Sequence, residues 1–468
     1  MDGSAPPPRT LAIIGGGFSG ACLALHLARD GYTGRMVIFE PRPVLGLGLA
    51  YSTVDDSHRL NARASRMSVY PDDPAHFTRW IAETGACNDD PEAALPDGRL
   101  FTRRSVYGAY VAAQVAPLVR DGRVVHVRAE VRELTRRDGA WAVLCGDGRE
   151  IVADVAVLAT GHAPPGVPGA LAEISGHEGF IADPLRPGAL ARIAPQAKVL
   201  IVGTGLTMAD SVAALTQAGH SGPIIAVSRR GQVPRPHAME DFFTTVGFSL
   251  PATASALVRA VRAAVAAAVA EGLTWQAVFD ALRWRAEDLW GPLPAVERRR
   301  LVRHIRPFWD THRHRLPPPT AAVLNRRLAA NTLRIAAASI AGVQVSGPRI
   351  EVLLRARGAD DATREAFDAV ILTAGPGRPG QAGDSVCGKL VRNGVLAVDG
   401  TGLGFCCDAA GEVPGAQHPP LFVIGPLTRG TFAEIIGVPE IAVQAGSVAA
   451  KIQKLSVVGA PGFVQTSV

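Results

Sequence analysis

Cysteine is scarce and unpatterned. The six residues Cys22, Cys87, Cys145, Cys387, Cys406 and Cys407 contain no C-x-x-C pair and no regular spacing. In a chain of this length, with no secretory leader to read, that argues against a disulfide framework. Long apolar runs are missing too. The nearest approach to the ~18 uncharged residues of a membrane span, Ala252 to Ala270, is broken by Arg259 and Arg262. Charge of one sign is not in large excess: 48 Lys and Arg stand against 42 Asp and Glu, a net of +6. Spread over the chain, this suits a basic pocket for an anionic cofactor or substrate better than a nucleic-acid stripe. His312 and His314, two apart, have no third ligand beside them, which argues against a metal site. No Ser–His–Asp or activated-cysteine constellation is present.

Hydrophobic residues make up 47% and charged residues 19%, enough apolar material for a sizeable core. Length alone gives roughly three folding units as a prior. The short polar opening MDGSAPPPRT reads as a frayed start, and the expectation is a soluble cytoplasmic protein without membrane or nucleic-acid partners.

The first forty residues carry the strongest signal. Thr10 to Ile14 is an apolar strand, followed by Gly15-Gly16-Gly17-Phe18-Ser19-Gly20 and a helical stretch through Arg29. A second strand, Met36 to Phe39, ends at Glu40, twenty residues beyond Gly20. This is the G-x-G-x-x-G fingerprint in its strand–turn–helix setting. Gly15 makes the tight turn, Gly17 lets the backbone approach a pyrophosphate, and Gly20 permits close helix–strand packing. The helix start, with Ser19 in it, offers free N–H groups to phosphate, and Glu40 would accept from ribose hydroxyls.

A second fingerprint follows the strand Lys198 to Val202: Gly203-Thr204-Gly205-Leu206-Thr207-Met208-Ala209, then a helix through Ala218. The third glycine is replaced. The next strand, Ile224 to Val227, ends in Ser228-Arg229-Arg230 rather than in an acid. Arginine at this place accommodates a 2′-phosphate, so Arg229 and Arg230 favour NADPH, with NADH left open. Two fingerprints imply one nucleotide held as a prosthetic group and another delivering hydride: FAD at the first, NAD(P)H at the second.

Two strand endings punctuate the chain alike, DVAVLAT-Gly161-His162 and DAVILTA-Gly375. This pattern resembles that of two-dinucleotide-binding flavoproteins, a resemblance that implies crossings between an FAD domain and a NAD(P)H domain here, with Thr160 and Gly161 at the first. The last strand, Leu421 to Ile424, leads to Gly425 and a terminal helix from Glu440, whose N-terminal dipole would face the flavin. The fold class is therefore α/β: two Rossmann-like dinucleotide-binding domains with a helical insertion. Residues 1–165 form the first part of the FAD domain, 166–367 the NAD(P)H domain with an insertion at about 233–339, and 368–468 the closing part of the FAD domain. Within the insertion, helical periodicity runs over Ala252–Ala270, Trp275–Leu289 and Ala295–Ile305. The dense Arg and His around Trp309 read as an anion-facing surface.

The fingerprints, their order and the joints resemble the two-dinucleotide-binding flavoproteins. Leu60-Asn61 through Arg66-Met67 to Pro71-Asp72-Asp73-Pro74 resembles the N-x-x-x-x-M-x-F-P-D-x-P region of flavin-containing monooxygenases. LATGH at 158–162 is similar to a segment shared with N-hydroxylating monooxygenases. GGGFSG, PRPVLGLGLAYST, VSRRGQVPRPHA and WDTHRHRLPP are similar to the bacterial FAD-NAD(P)-binding family that includes a FAD-dependent urate hydroxylase. The F-x-G-x-x-x-H signature of flavin-containing and Baeyer–Villiger enzymes is absent. The resemblance implies FAD and NADPH as cofactors and O₂ as co-substrate. It also implies a monooxygenase acting through a flavin hydroperoxide on a small polar or anionic substrate, urate-like or an amino acid or amine. Asn61 would then sit over the flavin, with Arg313 and Arg315 orienting the substrate. A homo-oligomer is compatible with this reading. An NAD(P)H-dependent reductase or oxidase without oxygen insertion stays open beside it, as does a non-catalytic flavin-binding protein.

Overall fold

The computed structural model describes residues 9–239, 244–247, 251–379, 383–417 and 419–457; most of the polar opening lies outside them. The chain makes three passes. The first runs through β1 (Thr10–Ile14), α1 (Phe18–Arg29), β2 (Arg35–Phe39), α2 (Gly48–Tyr51), α3 (His76–Thr84), α4 (Arg104–Arg120) and β3 (Val124–Val127). It continues through an antiparallel trio, β4 (Val131–Arg137), β5 (Ala140–Cys145) and β6 (Glu150–Ala153), into β7 (Val155–Leu158).

The second pass holds β8 (Phe180–Ile181), β9 (Val199–Val202), α5 (Leu206–Gln217) and β10 (Ile224–Ser228). Then come the helices α6 (Ala254–Ala270), α7 (Trp275–Trp284), α8 (Ala286–Trp290), α9 (Ala295–Arg300), α10 (Arg306–Arg313) and α11 (Pro318–Ala329). The strands β11 (Leu333–Ser346), β12 (Arg349–Ala356), β13 (Ala362–Phe367) and β14 (Ala369–Leu372) complete it. The third pass contributes α12 (Val386–Arg392), β15 (Glu412–Gln417), β16 (Pro420–Val423), α13 (Arg429–Phe432) and α14 (Val438–Val457).

Beside that trio, two larger sheets form among the described residues, in the orders β15-β16-β7-β1-β2-β3 and β13-β12-β11-β10-β9-β14-β8. Strands β1, β2, β7 and β16 pair in parallel and are apolar and buried almost throughout, as strands covered on both faces must be. Nearly every residue of α1 is buried, because α14 and α4 pack against it on the same side of the first sheet. The two fingerprint domains are tied by an ion pair between Arg104 on α4 and the buried Asp210 on α5, at 2.7 Å.

Both Rossmann-like domains stand where the fingerprints put them, with three corrections of boundary. β14 joins β9 and β8 in the second sheet, so the return to the first domain comes after Leu372 and not at 368. The insertion ends sooner than 339: β11 is already a strand of the second sheet from Leu333, and α11 packs on α5 as its crossover helix. The terminal helix starts at Val438, so Glu440 lies inside its first turn. Within the insertion the second periodic stretch breaks at Arg285, and the third passes into a π-helical turn at Leu301–Ile305. Among the described residues no helix is long and apolar enough to cross a membrane.

Candidate active site

At the carboxyl end of β1 the backbone turns through Gly15 at φ +106°, where a Cβ would lie 2.4 Å from the carbonyl oxygen of Ala159. The turn thus rests directly on the first joint. Gly20 brings α1 against the turn: a Cβ there would lie 2.1 Å from Gly15 O and 3.0 Å from Ile13 Cγ2. Gly17 caps α1 with extended backbone and no side-chain capping bond, leaving the first-turn N–H groups to a ligand. Glu40 is buried at the end of β2; one carboxylate oxygen accepts from Gly16 N–H at 3.1 Å, the other from Arg42 N–H at 3.1 Å. It braces the glycine turn. Gly425, at φ +74°, closes the cradle; a Cβ on it would come within 2.3 Å of the Ser19 hydroxyl. Gly161, at φ +71°, faces open space, and Thr160 is exposed beside it.

The second cradle repeats this plan. Gly203 turns at φ +121°, and a Cβ there would lie 2.4 Å from Thr373 O on the second joint. Gly205 caps α5 in extended conformation with nothing within 4 Å of an added Cβ. Met208 fills the place of the third glycine and is fully buried. Beyond β10, Arg229 is exposed, while Arg230 lies with its guanidinium 5.4 Å from the Phe308 ring centre. These glycine cradles fit two dinucleotides: positive-φ turns at strand ends, uncapped helix starts, and an acid in one case and arginines in the other.

Between the domains lies a small polar pocket of about 50 Å³ that includes Asn61, Arg66, His237, Asp280, Arg313 and Arg315. His237 Nε2–H donates to Asn61 O at 3.0 Å, and burial together with Arg315 pushes this imidazole down to about 4, so it is neutral near pH 7. The structure therefore brings Asn61, Arg313 and Arg315 to one pocket. It also corrects the expectation of an anion-facing surface, because both arginines are already engaged inside. Arg315 pairs with Asp280 at 3.0 Å and donates to the carbonyl oxygens of Gln276 and His312. Arg313 faces Glu434 at 3.3 Å and Glu440 at 3.6 Å, and burial lowers it to about 10. Glu440 is gripped by Arg283; burial alone would raise its carboxyl, but the arginines hold it below the ordinary range. That carboxylate sits on the first turn of α14 and offsets part of the positive helix end expected to face the flavin.

Sequence reasoning missed these acids and a larger feature. A cavity of about 580 Å³ opens among the insertion helices and the segment before α14. One signal was available: Leu257, Val261 and Val265 are spaced four apart, an apolar stripe on α6. Among the described residues no group of three His, Cys, Asp or Glu is placed to hold a metal.

Residues 12–163 match the model of a protein family described as FAD-NAD(P)-binding. The matched stretch runs from β1 through the first joint, the cradle built on Gly15 and Ala159. No curated protein matches the sequence. In structure, the chain is similar to the reduced form of the ornithine hydroxylase of Pseudomonas aeruginosa, with TM-score 0.66, 16% identity, and 96% of this chain and 99% of that one covered. It is also similar to the L-lysine 6-monooxygenase of Pseudomonas syringae, with TM-score 0.66, 19% identity, and 96% and 99% covered. A third is the cadaverine monooxygenase of Erwinia amylovora bound to FAD, with TM-score 0.65, 12% identity, and 99% and 98% covered. At these identities the likeness is one of fold, and it covers nearly the whole of each chain.

Proposed function

We propose that the protein is an FAD-dependent monooxygenase that draws electrons from NADPH and oxygenates an amine nitrogen. The observation that carries this is the duplicated cradle: Gly15 on Ala159 and Gly203 on Thr373, at the carboxyl ends of parallel strands in two sheets of one chain. Such a pair holds a resident and a visiting dinucleotide. FAD is assigned to Gly15, Gly17, Ser19, Gly20, Glu40, Thr160, Gly161 and Gly425. NADPH is assigned to Gly203, Gly205, Arg229 and Arg230. The bound pair supplies the redox chemistry, hydride from the nicotinamide and oxygen activation at the reduced flavin. The chain's own residues position and shelter. Asn61 faces the polar pocket beside His237, and Arg313 and Arg315 serve as braced walls of that pocket rather than as free receptors for an anion. Arg313 and Arg315 each face carboxylates, Glu434 and Glu440 for the first and Asp280 for the second, so neither stands free to receive a urate-like anion. The fold neighbours that act on ornithine, lysine and cadaverine support the choice of an amine.

The test is stopped-flow absorbance of the FAD-loaded protein, reduced with NADPH and mixed with oxygenated buffer, followed by mass analysis of added amines. A transient absorbance distinct from oxidised and reduced flavin, and a product heavier by one oxygen atom, are expected. NADPH oxidation that returns all oxygen as peroxide with every amine would favour a reductase or oxidase. Absence of NADPH consumption would leave a non-catalytic flavoprotein.

A further inference from the structure

The 580 Å³ cavity is of the size that takes a drug-sized ligand. One wall is the stripe Leu257, Val261 and Val265 of α6. Opposite stand Phe279 and Trp309, stacked at 5.4 Å, and the π-helical turn Leu301–Ile305 supplies the floor. Such turns recur where a helix is reshaped around a ligand.

Its polar end is small and specific. Glu434 is the sole carboxylate among the described lining residues, and its side chain is 4% exposed. One carboxylate oxygen accepts from the Trp309 indole N–H at 2.6 Å. The other is buried and accepts no hydrogen bond, with Arg313 Nε 3.3 Å away but out of alignment. Ala433, a non-glycine residue at φ +58°, turns the chain just before it. Arg306 and Arg429 line the same end and share the single carboxylate of Asp310, at 3.3 and 3.5 Å. Arg429 directly follows Thr428, whose hydroxyl donates to the carbonyl oxygen of Gly425 at 2.8 Å, so this end adjoins the Gly425–Ser19 side of the first cradle.

We propose that this cavity is the substrate chamber and that it takes an amine carried on an apolar body, bound neutral with one N–H donated to Glu434. The inference rests on the monooxygenase reading above. Apolar walls and surplus arginine charge both disfavour an ammonium ion. A neutral amine that donates N–H keeps the lone pair that oxygenation at nitrogen requires. The second ammonium of a diamine or of an amino acid such as ornithine would meet arginines, His312 and apolar side chains but no second carboxylate among the described lining residues. The reaction balances as R–NH₂ + O₂ + NADPH + H⁺ giving R–NHOH + H₂O + NADP⁺. One oxygen atom enters the new N–O bond, the other leaves as water, and the nicotinamide is oxidised.

Binding is measured on the FAD-loaded protein by quenching of tryptophan fluorescence, since Trp275, Trp290 and Trp309 line the cavity. The probes are linear amines from butylamine to decylamine, with ornithine and cadaverine beside them. Affinity should tighten roughly three- to fourfold per added methylene, and ornithine and cadaverine should not compete. Val261→Trp should abolish decylamine binding with FAD content unchanged. Glu434→Gln should weaken it roughly tenfold or more, the loss of a charged acceptor. If the latter variant does not fold, the chain-length series and Val261→Trp still decide. A flat series, tighter binding of ornithine, or no effect of Val261→Trp overturns the chamber. NADPH-dependent hydroxylation of ornithine without decylamine binding would overturn the chamber and leave the monooxygenase standing. Decylamine binding without NADPH consumption would sustain the chamber and overturn the monooxygenase.

Discussion

The two nucleotide cradles begin alike and part company one helical turn later. In the first, Gly20 brings α1 so close that a Cβ would lie 2.1 Å from Gly15 O; in the second, Met208 occupies that place with its whole side chain buried. The first has a buried acid bracing its own turn, the second an exposed arginine beyond its strand. Gly425 and Ser19 close over the first, while Gly205 in the second faces open space. On the assignment proposed above, the more closely packed cradle would retain its guest and the other would let one come and go. A prosthetic flavin and an exchanging nicotinamide require just that division.

The sharpest way to break the contrast is at the helix starts. Gly20→Ala should cost about 3 kcal/mol or more through overpacking against a backbone oxygen and yield protein depleted of flavin. Gly205→Ala should change stability by less than about 0.5 kcal/mol. Melting temperature and flavin absorbance check both, and equal losses would end the comparison. Next in size is the charge beyond the second strand. Arg229→Ala should raise the KM for NADPH roughly 10- to 100-fold, the worth of a charged hydrogen bond, with the KM for NADH unmoved. Glu40→Gln should instead loosen flavin retention, because it weakens the brace on Gly16. Identical KM changes for both nicotinamides would remove the 2′-phosphate assignment.

The smallest effect concerns the joints. His162 follows Gly161 at the first, whereas Pro376 follows Gly375 at the second. Burial, with Arg429 and Arg306, pushes His162 down to about 4 from an ordinary 6.5. The unfolded chain therefore takes the proton first, and stability present at neutral pH is lost as pH falls from 6.5 toward 4. His162 is exposed to solvent, which screens these charges, so His162→Gln should recover less than about 1 kcal/mol of the loss between pH 7 and pH 5, read from urea midpoints. His237 and His314, lowered chiefly by burial, act in the same direction, so part of the slope will remain. A slope unaltered by the substitution would show that the joint does not carry it.

What was legible in the sequence was what is local. Glycine spacing, apolar runs and the acid or arginine that follows them are fixed by a few consecutive residues, and they located both cradles. The strand Ala369–Leu372 was legible as a buried strand, but its sheet is chosen by pairing with Val199–Val202, far away in the chain. Arg313 and Arg315 looked free because the acids that engage them, Asp280, Glu434 and Glu440, arrive from other segments. The stripe on α6 was readable as a helix face; that it borders a chamber depends on which helices stand opposite.

The order of the first sheet sets a schedule for making the molecule. Leu158 on β7 must pair with Val423 on β16, roughly 265 residues later. At roughly 5–20 residues per second, a ribosome needs from about a quarter of a minute to most of one to deliver that partner. During this interval the β7 edge is unpaired, an exposure that invites wrong pairing. The second sheet, whose strands all emerge before Leu372, can close earlier. The inserted domain thus finishes first inside a host still waiting for its last strand. The first cradle can close only once Gly425 has emerged and reached Ser19.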